Sequence, residues 1–116
     1  MRILICGGRN FNDTSLVAAA LGAVQRKLGI DTVISGAARG ADRLGEQWAQ
    51  ANGVPVEQYP AQWDVYGKSA GYRRNEQMLR EGKPNGVIAF PGGVGTAHMV
   101  RTAKAAGVKV WEVKAP

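Results

Sequence analysis

Three times in this chain a short apolar run ends in a glycine turn and then opens a stretch of helical spacing, and this order constrains the fold most. The runs lie at 3–6, 32–35 and 87–90. The turns after them are Gly7-Gly8-Arg9, the stretch 36–42, and Pro91-Gly92-Gly93-Val94-Gly95-Thr96. Four residues are too few for a helix, and apolar residues rich in β-branching suit a strand buried on both faces. Parallel strands of that kind need a crossover between each pair, which covers the sheet from either side. The pattern predicts an α/β domain with a mainly parallel sheet between two helical layers.

The rest of the chain fits that plan. Asn12, Asp13 or Thr14 can cap a first helix with Leu16, Val17, Ala20, Leu21, Val24 and Leu28 at helical spacing, and Gly29 stops it. The stretch 36–42 opens a second helix that turns Leu44, Trp48 and Ala49 inward and closes at Asn52-Gly53. A third strand is expected at 54–59, with Pro55 near its entrance. Residues 60–71 lack periodicity and mix Trp63, Asp64, Tyr66, Lys68 and Ser69, which reads as a functional loop. A helix at 72–81, a strand at 87–90, a helix at 96–106 and a strand at 108–113 complete five strands and four helices. At 116 residues the chain is long enough for one domain, 1–116, and too short for two.

Charge and cysteine usage narrow the partners. Fifteen Lys and Arg against nine Asp and Glu leave a net charge of +6, which favours anionic ligands or simply keeps the surface solvated. One cysteine, Cys6, excludes an internal disulfide and a cysteine-cluster metal site, and one histidine, His98, argues against the usual zinc sites. No metal is expected, and Cys6 reads as a buried, inert thiol. The apolar start is too short for a signal peptide and no segment is long enough to span a bilayer. The expectation is a cytoplasmic protein with no membrane partner.

In open parallel sheets ligands bind beyond the carboxyl ends of the strands, so the three glycine turns should face one crevice. Glycine lets backbone approach a ligand closely, and the first N–H groups of a helix suit a phosphate. The binding candidates are Gly7, Gly8 and Arg9; Ser35, Gly36, Arg39, Gly40 and Asp42; and Pro91, Gly92, Gly93, Gly95 and Thr96. Trp63 and Tyr66 can sandwich a base or pack the loop onto the sheet. Lys68, Arg74 and Asn75 add positive charge and hydrogen bonding. Asp42 can hold a sugar hydroxyl or only complement the N–H groups at its helix start.

Gly7-Gly8-Arg9-Asn10-Phe11, Ser35-Gly36-Ala37-Ala38-Arg39-Gly40-Ala41-Asp42, Trp63-x-x-Tyr66-Gly67-Lys68, Arg74-Asn75-x-x-Met78 and Pro91-Gly92-Gly93-x-Gly95-Thr96 together resemble the YspA-like, cpYpsA-related branch of the SLOG superfamily. The resemblance covers nearly the whole chain. It implies a Rossmann-like three-layer α/β/α domain with a mainly parallel five-stranded sheet, and handling of nucleotides or nucleotide derivatives. No separate cofactor is expected. LOG-like relatives commonly dimerise, which makes a homodimer a candidate assembly.

Two relatives of that branch imply different activities. Similarity to LOG-type phosphoribohydrolases puts Arg74 at their functional arginine and Gly92, Gly93, Gly95 and Thr96 in their phosphate loop. Where those enzymes carry a glutamate, this chain offers His98 and Met99, and helical spacing from Thr96 places Met99 in the core. Breaking an N-glycosidic bond needs negative charge beside the sugar cation and a carboxylate to activate water. Arg74, Asp42 and Glu76 are the catalytic candidates, with Asp64 a further carboxylate. The 35–42 turn is similar to one in the DNA-processing protein A family and implies a single-stranded nucleic acid as an alternative partner. The leading expectation is binding of a nucleotide or its derivative by a sensor, sequestering or processing protein. A LOG-like hydrolase and a single-strand binder are the alternatives.

Overall fold

In the computed structural model, which describes residues 1–115, strand β1 (Arg2–Cys6) sends Ile3 and Ile5 to one face of the sheet and Leu4 and Cys6 to the other. All four are buried, as strand alternation between two covered faces requires. Ile3 and Ile5 pack with Val17 and Leu21 of α1 (Thr14–Leu28) and with Ala41 and Ala49 of α2 (Ala41–Ala51). Leu4 and Cys6 pack with Met78 and with Met99 and Ala103 of α5 (Val94–Ala105). Each such fully buried aliphatic side chain contributes about 1.5–3 kcal/mol.

The other strands are β2 (Thr32–Ser35), β3 (Val56–Gln58), β4 (Gly86–Ala89) and β5 (Lys109–Glu112). Among the described residues they form one sheet in the order β3-β2-β1-β4-β5, parallel at every pairing. This is a Rossmann-like three-layer α/β/α fold. The chain builds outward from β1 through β2 to β3, then returns across β1 to place β4 on its other side. That reversal opens a crevice above the carboxyl ends of β1 and β4.

Local chemistry sets the element ends. Asp13 caps α1 by accepting a hydrogen bond from the Leu16 N–H at 3.0 Å. Three differences from the sequence expectation bear on the site. The expected loop 60–71 is largely helical: α3 (Trp63–Tyr66), a 3-10 turn (Gly67–Ser69), then α4 (Ala70–Gln77), which runs on as a π-helical turn (Met78–Gly82). No residue of α3 is buried, so it has no apolar stripe for periodicity to reveal. Strand β3 is shorter than 54–59, because the Val54 N–H bonds back to Ala49 and Pro55 has no N–H to give. Helix α5 begins at Val94, two residues early, which places Gly95 and Thr96 inside its first turn.

Candidate functional site

The three glycine turns touch one another at the crevice. The Gly8 N–H donates to the Pro91 carbonyl at 2.9 Å, joining the turn after β1 to the turn after β4. The Ala41 N–H donates to the Gly8 carbonyl at 3.1 Å, joining the turn after β2 to the same point. Gly40 has φ +83°, and a Cβ there would overlap the Gly8 carbonyl oxygen and the Arg9 backbone. A Cβ on Gly92 would overlap the Thr96 hydroxyl and the Gly8 nitrogen.

Beside these turns lies a cleft of about 410 Å³. Ile5, Cys6 and Met78 supply apolar wall; Trp63 and Tyr72 supply aromatic wall. Arg9, Lys68 and Arg74 supply positive charge, and Gly93, Val94, Gly95 and Thr96 bring the start of α5 to its edge. The first internal bond of α5 runs from the Ala97 N–H to the Gly93 carbonyl at 3.0 Å. The N–H groups of Val94, Gly95 and Thr96 precede that ladder at the positive end of the helix dipole. A Cβ on Gly93 or Gly95 would meet no atom within 4 Å.

Arg74 is set firmly in place. Its Nη1 donates to the Gly36 carbonyl at 2.5 Å and its Nε to Asn75 Oδ1 at 3.2 Å. A Cβ on Gly36 would overlap the guanidinium, so this glycine makes the seat of the arginine. Burial lowers the Arg74 pKa, Asp42 opposes that, and Arg9 adds to it. An arginine so placed remains a cation at neutral pH. Asn75, 6% exposed, then bonds to α5: its Nδ2 donates to the Gly95 carbonyl at 3.2 Å and meets His98 Nδ1 at 3.1 Å. Because Oδ1 accepts the hydrogen bond from Arg74 Nε, Nδ2 is the donor and His98 Nδ1 accepts.

Arg9 lies over the Trp63 ring, its Cζ 5.1 Å from the centroid. Asp42 is 7% exposed, and its Oδ2 accepts from the Ala38 N–H at 3.2 Å. Burial lifts the Asp42 pKa to about 6 against the pull of that N–H and of Arg74. Burial likewise pushes the Cys6 thiol up to about 12, so it is no nucleophile at neutral pH.

Gly7, Gly8, Arg9, Asp42, Trp63, Lys68, Arg74, Asn75, Gly93, Gly95 and Thr96 all line the cleft. The remaining candidates lie elsewhere. Ser35 is fully buried; its Oγ donates to Glu46 Oε2 at 2.6 Å and accepts from the Ala37 N–H, which makes it a structural tie. Gly36 and Gly40 answer to Arg74 and to the first turn, and Arg39 is exposed outside the lining. Pro91 and Gly92 face a separate groove with Val100 and Arg101. Tyr66 and the catalytic candidate Glu76 line another groove on the far side of α4, and Asp64 is exposed outside the cleft.

Sequence reasoning missed Gly71, Tyr72, Val94, Ala38, Ile5, Cys6 and Met78 as lining residues. Helical spacing would have found part of this: Gly71, Arg74, Asn75 and Met78 stand at i, i+3, i+4 and i+7 and share the cleft. Arg73, Glu76, Gln77 and Arg80 take the opposite groove. Among the described residues, no cluster of His, Cys, Asp and Glu is arranged to hold a metal ion, and no helix is long and apolar enough to cross a membrane.

Comparison with known proteins adds three findings. A family model described as YAcAr, the YspA, cpYpsA-related SLOG family, matches residues 1–66. The Gene 61 protein of Mycobacterium phage D29 is 38% identical over 117 residues, covering 94% of this chain and 93% of that protein. A solved structure of a phosphoribosylglycinamide formyltransferase from Coxiella burnetii, in complex with CHES, is 19% identical with a TM-score of 0.49. That match covers 93% of this chain, which spans 61% of the length of the other.

Proposed function

This chain belongs to the YspA, cpYpsA-related SLOG family, and from that premise we propose that its cleft binds one nucleotide or nucleotide derivative by its phosphate, without cleaving it. The observation that carries the reading is the pair of glycines at the start of α5. Neither Gly93 nor Gly95 is required by neighbouring atoms, since a Cβ on either would meet nothing within 4 Å. Both open on a cleft holding Arg9, Lys68 and Arg74. Bare backbone at a helix start, facing three cations, has the chemistry of a phosphate cradle.

Size and charge support one nucleotide. The cleft of about 410 Å³ falls toward the lower end of the ~300–1,000 Å³ usual for small-molecule sites. Three cations against Asp42, the one carboxylate in the lining, favour a ligand with two or more negative charges. Glycosidic cleavage uses a pair of carboxylates across the bond, and Glu76 and Asp64 stand outside the cleft. A sensor or a sequestering protein needs the cradle and no second carboxylate.

Calorimetric titration with a panel of nucleoside 5′-monophosphates and the matching nucleosides tests the reading. The monophosphates are expected to bind at least tenfold more tightly than their nucleosides, with no free base released on prolonged incubation. Equal affinity within each pair would refute the phosphate cradle. Base release that disappears in Arg74→Ala would restore the hydrolase.

A further inference from the structure

Helix α3 exposes every one of its four residues, and two of them are aromatic rings that each carry an arginine. Trp63 is 47% exposed beneath Arg9, on the cleft side. Tyr66 is 43% exposed beneath Arg73, whose Cζ lies 4.4 Å from its ring centroid, on the far side of α4. The second arrangement is held in order: Arg73 Nε donates to Ser69 Oγ at 3.1 Å, and Ser69 Oγ donates to the Tyr66 carbonyl at 3.0 Å. Tyr66, Arg73 and Arg80 line a groove of about 290 Å³, and Arg74 borders both this groove and the cleft.

We infer that the ligand extends beyond the cleft as a second nucleotide, joined to the first through its phosphate, with its base on Tyr66. The inference rests on the one-nucleotide reading above. A ring with a cation over it stacks a base and meets the adjoining phosphate at once, and this geometry occurs twice on one short helix. Arg74, shared by the two recesses, stands where the linking phosphate crosses. Glu76 and Glu81 also line the groove, and Glu81 pairs with Arg80 at 3.5 Å. They confine the phosphate to the Arg73–Arg74 side.

The test is titration of the full chain with 5′-phosphorylated mono-, di- and decanucleotides of adenosine and of thymidine. The dinucleotide is expected to bind at least tenfold more tightly than the mononucleotide. Tyr66→Ala and Arg73→Ala should each remove most of that gain and leave mononucleotide affinity within twofold, while Tyr66→Phe retains it. A decanucleotide no tighter than the dinucleotide assigns a small dinucleotide ligand. A further gain that falls steeply with salt assigns a strand. Mononucleotide binding without any dinucleotide gain, or a gain that survives both alanine variants, overturns the second subsite alone. Failure of mono- and dinucleotide alike overturns the cleft reading with it.

Discussion

The glycines of the turn after β2 and the two that open α5 after β4 read alike in sequence, yet a side chain added to each pair would meet opposite fates. At Gly36 it would strike Arg74, and at Gly40 it would strike the turn after β1. At Gly93 and Gly95 it would meet open space. The first pair of glycines is spoken for by the protein itself, packing one turn on another and seating an arginine. The second pair is not, and backbone left bare at a helix start beside cations has a use only when something else approaches it. Glycine in a strand-end turn is therefore ambiguous until its neighbours are known.

Four substitutions would break or sharpen that contrast. The largest effect is expected from Gly40→Val, which combines a positive φ with backbone overlap; urea unfolding should show a loss of about 4 kcal/mol or more. A loss under about 1 kcal/mol would mean that the turn after β2 is not closed by packing.

Asp42 comes next, because the same closed turn buries its carboxylate. Its folded pKa of about 6 lies above the ordinary 3.8, so the folded protein holds this proton more tightly than the unfolded chain. The associated stability is fully present below pH ~3.8 and is lost as pH rises through about 6. Asp42→Asn should therefore gain on the native protein with rising pH, by about 2 kcal/mol between pH 4 and pH 8. Denaturant midpoints that keep a constant offset across that range would show that Asp42 is not perturbed.

On the open turn, Gly93→Asp places a carboxylate in the proposed phosphate position. Monophosphate affinity should fall about 100-fold, roughly 2.7 kcal/mol, while the unfolding midpoint stays put, since an Asp at a helix N-cap is tolerated. Unchanged affinity in the folded variant would remove the cradle. The smallest effect belongs to Gly95→Ala, which fills a helical position with space around it and should raise stability by about 0.5–1 kcal/mol while weakening the ligand. Destabilisation there would show that Gly95 serves the fold after all.

Much of the architecture is legible in the sequence. The runs at 3–6, 32–35 and 87–90 appear as β1, β2 and β4, β1 beginning one residue earlier and β4 beginning and ending one residue earlier, and Met99 sits in the core where its spacing puts it. Helix α3 was not legible, because a helix with no buried side carries no hydrophobic period. Glu76 is a carboxylate available for catalysis by its place in the sequence, but it stands two residues beyond Arg74 on a helix, which turns its side chain to a different face, here into the groove behind α4. Ser35 is a ligand candidate as the first residue of the 35–42 turn; Glu46, eleven residues on, accepts its hydroxyl hydrogen bond instead.

What the sequence determines by itself is order: strand, glycine turn, helix, repeated until the parallel sheet and its crevice follow from handedness and covering alone. Those are local patterns, carried by residues near each other in the chain. Only the tertiary structure decides which glycines are closed and which are open, which face of α4 meets the cleft, and that Asp42 is the carboxylate lining it. Gly36 with Arg74, Gly40 with Gly8, and Gly92 with Gly8 are pairs separated by 30 residues or more, and steric overlap acts through space without regard to chain distance.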